Sequence, residues 1–159
     1  MLKQHEIQSK VNTLLEHTQC DTYPVPIVRI AESIGYTVHF MDMDSNDSIV
    51  GKVSHTDKKI YVKQGDIPQR QRFTIAHELG HIKLHNGDKF RTERGLNVFS
   101  DDPEEVEANR FAAMLLMPEN EFRRIWEISE QSIEYVANYF AVSKLSASIR
   151  ANTLNLLSL

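Results

Sequence analysis

Three observations predict an α+β chain in which a small antiparallel sheet is followed by a helical bundle. The segment SIVGKVSHTDKKIYVKQ holds two runs of strand-forming residues on either side of a His-Thr-Asp turn. From Gln69 onward the apolar residues recur at helical spacing, broken only by the loop NGDKFRTERGLNVFSDD. The chain is also short: 159 residues, 41% hydrophobic and 25% charged, suit one globular domain with one core. The whole of 1–159 is therefore expected to form a single domain, with its core in 25–120 and further helices in 129–159.

The elements follow in order. Residues 3–17 set Ile7, Val11, Leu14 and Leu15 on one stripe, an amphipathic helix. TYPVPIVRIAESIGYTVHF predicts a break at the prolines, a short helix ending near Gly35 and a strand through Val38 and Phe40. MDMDSND is a polar turn, and Gly51 puts a kink early in the next strand. A helix begins near Asp66 or Ile67-Pro68 and ends at Asn86-Gly87. Another opens at Asp102 as N-cap, with Pro103 in the first helical position and Glu105 completing a capping box. Phe122, Ile125 and Trp126 mark helix packing, while SIEYVANYFAVSKLSASIRANTLNLL forms two helices about a turn at Val142-Ser143.

Charge and cysteine content exclude several roles. A net charge of -4 gives no general attraction to nucleic acid or to an anionic membrane. The final helical pair resembles a helix-turn-helix unit, but Lys144 and Arg150 are balanced by Glu130 and Glu134 from Ser129 onward. A DNA reader needs an excess of positive charge there, so the pair is expected to complete the core or dock a partner. Lys89, Arg91 and Arg94 make a small basic loop, solvated or at the rim of a cleft. Cys20 is a single cysteine, and MLKQHEIQSK lacks the apolar core of a signal peptide. These features predict a cytoplasmic protein with no membrane and no direct nucleic-acid partner.

The chemistry concentrates in RFTIAHELGHIKLH, where HELGH matches H-E-x-x-H. Residues four apart on an α-helix lie about 40° round and about 6 Å along the axis. His77 and His81 can therefore reach one zinc ion with bonds of about 2 Å. Glu78 is set beside that position, where an attacking water needs a base. His85 continues the ladder but lies about 12 Å along the axis from His77, too far to share the ion. It suits the helix C-terminus, where the dipole favours a protonated imidazole.

A third ligand is expected from DDPEEVEANRFAAMLLMP. Glu104 and Glu105 have a capping reason to be acidic, since both fall in the first helical turn. Glu107 lies beyond it, flanking the stripe of Ala108, Phe111, Ala112 and Leu115, where a half-buried carboxylate needs a partner. The helical wheel favours Glu107 and leaves Glu104 open.

QRQRFTIAHELGHIKLH followed by EEVEANRFAAMLLMP resembles the ImmA/IrrE family of zinc metallo-endopeptidases, and IVRIAESIGYTVHF and KKIYVKQ are similar to that family's lead-in elements. The likeness covers about residues 25 to 120. It implies a zincin-like helical bundle, His77 and His81 as zinc ligands, Glu78 as general base and Glu107 as third ligand in preference to Glu104. It further implies hydrolysis of a peptide bond in a regulatory protein, a helix-turn-helix repressor being the expected partner. The competing expectation is a non-proteolytic module that sequesters such a regulator. An intact Glu78 favours hydrolysis, because a pure binder has no use for it.

Overall fold

The computed structural model describes residues 1–43, 49–85, 89–92, 96 and 100–157. Among these described residues, seven helices and four strands follow one another as α1 (Gln4–Thr18), α2 (Ile27–Ser33), β1 (Thr37–Met41), β2 (Ile49–Ser54), β3 (Lys59–Lys63), α3 (Pro68–Leu84), β4 (Lys89–Thr92), α4 (Pro103–Leu116), α5 (Glu119–Ile128), α6 (Ile133–Phe140) and α7 (Lys144–Thr153). The α+β reading holds, and α1 buries the expected Ile7, Val11 and Leu14. The turn at MDMDSND, the helix stop at Asn86-Gly87 and Arg94 of the basic loop fall wholly or partly outside the described residues.

The sheet corrects the expectation in two ways. Its order is β1-β3-β2-β4, and β1 pairs with β3 in parallel, so the sheet is mixed rather than antiparallel. The hairpin of β2 and β3 is antiparallel as predicted, with Val53 opposite Ile60 and Gly51 opposite Val62. β3 takes the centre because Ile60 and Val62 are wholly buried, whereas β1 has no fully buried residue and suits an edge. The second correction is β4, which arises in the supposed loop after α3 and pairs antiparallel with β2. Its four residues, carrying two basic side chains, are too short and too polar to show a period-2 signal.

The middle of helix α3 is enclosed on all sides. Every residue from Thr74 to His81 is buried, because β2 and β3 cover one face and α4 the other. That explains why its apolar periodicity is weak: a helix without a solvent face needs no stripe. Gly80 sets the approach of α4. A Cβ there would stand 3.1 Å from Ala108 Cα and 3.1 Å from Phe111 Cβ, so the two backbones meet at this point. Gly80→Ala is expected to destabilise the fold by about 1–3 kcal/mol, because backbone cannot yield as a flexible side chain does. Its helix-propensity gain of about 1 kcal/mol is smaller than the clash. Chemical denaturation of the variant measures the difference.

The remaining helices close the core. Phe122 stacks on Trp126 and on Phe140 at ring separations of 6.2 and 5.8 Å. Arg72 of α3 donates to the carbonyls of Phe140 and Ala141, capping the end of α6. α6 and α7 contribute Val136, Ala137, Phe140, Ala147 and Ala151 to the same core, which is one of the two roles expected of this pair. No helix among the described residues is long and apolar enough to cross a membrane.

Candidate metal centre

His77 and His81 stand one turn apart in the buried middle of α3, with their Nε2 atoms 3.1 Å from each other. Glu105 of α4 reaches both, with Oε2 at 3.0 Å from His77 Nε2 and Oε1 at 3.0 Å from His81 Nε2. Ligands about 2.05 Å from a tetrahedral ion lie about 3.3 Å apart. The triangle of donors is thus nearly the size that one such ion requires.

Outer contacts orient these groups. His77 Nδ1 lies 2.8 Å from Asn109 Oδ1, and donating its N–H there fixes the orientation of the ring. Phe73 packs beside the same ring at 6.4 Å. Burial pushes the Glu105 carboxyl up, but hydrogen bonds and charge from His77 and His81 outweigh this and hold it well below the usual carboxylate range. Glu105 therefore presents an anion to the two imidazoles.

The carboxylate that groups with His77 and His81 is Glu105 and not Glu107, the one expected as third ligand. Glu107 is not in the triangle: its Oε1 lies 2.7 Å from His85 Nε2, and its Oε2 accepts the backbone N–H of Leu2. The cause is helix phase. Ala108 faces Gly80 of α3; Glu105 lies about 60° to one side of Ala108, and Glu107 about 100° to the other. Glu105 and Asn109 consequently turn to His77, while Glu107 turns to His85. Glu104, about 40° from Ala108 on the Glu107 side, groups with His81 and His85 rather than with His77.

Asp102 caps α4 as predicted, accepting from Glu104 N. Glu105, expected to complete a capping box there, reaches His77 and His81. One signal in the sequence was available: Gly80 and Ala108 are the small residues of HELGH and EAN, and placing them in contact fixes the phase that selects Glu105. The same phase reveals Asn109, which the sequence reading did not single out.

Glu78 is wholly buried on α3. It lies under β2, where a Cβ on Gly51 would come within 3.4 Å of its Oε1 and 2.5 Å of Thr74 Cγ2. The glycine first read as a strand kink therefore leaves room for Thr74 and the Glu78 carboxylate, beside a register shift between Ile49 and Gly51. Gly51→Ala is expected to destabilise by about 1–3 kcal/mol and to displace Glu78 while leaving the His77–His81–Glu105 triangle in place. Thermal unfolding with metal-binding titration separates the two effects.

Comparison with known proteins places this geometry. Residues 31–152 match a peptidase family described as the IrrE N-terminal-like domain. An uncharacterised immunity region protein 2 from Bacillus phage phi105 is 39% identical over 88 residues, which are 53% of this chain and 51% of that protein. The fold is shared with a Mycobacterium tuberculosis transcriptional regulator at a TM-score of 0.67 and 17% identity, over 93% of this chain and 46% of that one. In both cases the match spans about half of the other protein's length. The family match covers most of the chain and includes α3 and α4, and on that ground the chain belongs to the peptidase family of IrrE N-terminal-like domains.

Proposed function

We propose that this chain is a zinc-dependent endopeptidase that hydrolyses a peptide bond in a specific regulatory protein, a helix-turn-helix repressor. The observation that carries the reading is the convergence of His77 Nε2, His81 Nε2 and the Glu105 carboxylate at 3.0–3.1 Å beside a buried Glu78. Two nitrogens and one carboxylate suit zinc in a catalytic arrangement, where three protein ligands leave one position open. When bound, zinc supplies an activated water and a Lewis acid toward the peptide carbonyl.

The chain's own residues do the rest. Glu78 accepts the proton of the attacking water on a carboxylate oxygen and returns it to the departing amine nitrogen. Asn109 accepts the Nδ1–H of His77 and so holds the ring in orientation. β2 covers Glu78, and the sheet's outer edge on that side is β4. An extended substrate segment can add along that edge through backbone hydrogen bonds, leaving sequence choice to side-chain pockets. A regulatory substrate is supported by the phage relative, whose name assigns it to an immunity region.

The test of the metal reading is elemental analysis. Purified protein is expected to hold about one zinc per chain, since the two candidate groups among the described residues, His77–His81–Glu105 and His81–His85–Glu104, share His81. His81→Ala is expected to lose most of it while staying folded, as the apolar core extends well beyond the site. Full zinc in that variant contradicts the assignment.

A further inference from the structure

Helices α4 and α7 leave between them a cavity of about 260 Å³, also lined by Phe73 of α3 and Gln4 of α1. Its lining includes the exposed Arg110 and Thr153, so it opens to solvent. Among the described residues that line it, two are arginines and none is acidic. One of the two, Arg150 of α7, is only 3% exposed. We propose that this cavity binds a small organic anion, a carboxylate or phosphate on a compact apolar body, paired with Arg150 and Arg110. Its occupant reaches the metal centre through a shared wall.

Arg150 carries the case for an anion. Its Nε donates to the Met117 carbonyl at 3.0 Å, while its Nη2 is buried with no hydrogen-bond partner. Burial pulls the guanidinium down to about 10, which leaves it charged at neutral pH. Glu119 acts on it through charge alone, and is itself paired with Arg123 at 2.9 Å. Among the described residues Arg150 thus has no ion-pair partner. A buried charge left unpaired is costly, and an anion entering the cavity removes that cost. The planar fork of a guanidinium matches a carboxylate or a phosphate. Arg110 adds a second cation at the rim, where its contact is Met1 Sδ at 4.0 Å, a weak acceptor. The Ser146 hydroxyl accepts from Ser143 and so keeps its own hydrogen for an anion.

The rest of the lining sets the body of the ligand. Val106, Met114 and Ile149 are apolar, which suits a ring or short hydrocarbon better than a bare inorganic ion. The volume falls below the range of about 300–1,000 Å³ usual for drug-sized ligands, so the body is compact. Phe73 and Asn109 line the cavity and also touch His77: the Phe73 and His77 rings are 6.4 Å apart, and Asn109 Oδ1 lies 2.8 Å from His77 Nδ1. An occupant that packs on Phe73 or shifts Asn109 changes the support of His77. Binding at either site then alters affinity at the other by the same factor. This coupling rests on the metal reading, whereas the anion site does not.

Calorimetric titration of the full chain with benzoate and with phenyl phosphate tests the site, with benzamide as the neutral control. At least one anion is expected to bind once per chain with a Kd below about 1 mM, the tighter of the two naming the head group. Benzamide is expected to bind at least about tenfold more weakly, as follows from losing a hydrogen bond to a charged group. Arg150→Met is expected to weaken anion binding by about 10–100-fold. Arg110→Ala, on the exposed rim and outside the core, is expected to weaken it by about two- to fivefold. The site is overturned if wild type binds neither anion, if either variant keeps full affinity, or if benzamide binds as well as benzoate. An anion seated on zinc is recognised by His81→Ala, which keeps anion affinity when the cavity is the site. Loss in His81→Ala with retention in Arg150→Met overturns the proposal. For the coupling, saturating benzoate is expected to change zinc affinity in chelator competition by about fivefold or more in wild type and not in Arg150→Met. Equal zinc affinity with and without benzoate overturns the coupling. Wild type that binds the anion but no zinc contradicts the metal reading alone.

Discussion

Glu78→Gln is expected to keep its fold and its zinc and to cleave its substrate about 10²–10⁴-fold more slowly. The basis is the position of Glu78, next to His77 in sequence, buried near Gly51 of β2 and not among the groups that could hold the ion. Glutamine preserves the shape and removes the proton acceptor. Its effect therefore falls on the chemical step and leaves metal retention alone. Co-expression of wild type or the Gln variant with the cognate repressor, following repressor length and promoter activity, reads the outcome. Intact repressor with relief of repression in both strains contradicts hydrolysis and supports sequestration.

Replacing Glu105 with Ala is expected to produce the largest loss of metal affinity of any single carboxylate change. Glu105 is the carboxylate within 3.0 Å of both His77 Nε2 and His81 Nε2, so its removal takes away an anionic ligand and leaves two imidazoles. The loss should exceed the 10–100-fold typical of outer partners. Glu107→Ala, which removes the carboxylate beside His85, is expected to fall within that range. Glu104→Ala is expected to cost stability on the scale of a helix-dipole contact, up to about 1 kcal/mol. Chelator competition on the three variants gives the ranking. Glu107→Ala losing more zinc than Glu105→Ala would restore the assignment expected from sequence.

That ranking also shows where sequence reading succeeds and where it stops. His77, Glu78 and His81 were legible because their relation is local: the pitch of one helix fixes which side chains converge. The choice among Glu104, Glu105 and Glu107 depends on the phase of α4 against α3, which is set by a contact 28 residues away, Gly80 on Ala108. No local rule carries that information, and the cap at Asp102 offered Glu105 a plausible competing role. His85 stands at the helix end as expected, while its partner Glu107 lies on another element.

The sheet follows the same division. The β2–β3 hairpin was legible from alternating residues about a turn. The parallel pairing of β1 with β3 is nonlocal, and β4 is too short to announce itself. Gly51 was read as a strand kink, whereas its close neighbours are Thr74 and Glu78 of a helix more than twenty residues on.

The measurement that bears most directly on the metal centre is a crystal structure of the zinc-loaded protein with an anomalous difference map at the zinc edge. The expected result is one peak per chain at about 2.0–2.2 Å from His77 Nε2, His81 Nε2 and a Glu105 oxygen, with Glu107 still on His85. A peak held by His81, His85 and Glu104, or by Glu107 in place of Glu105, contradicts the account.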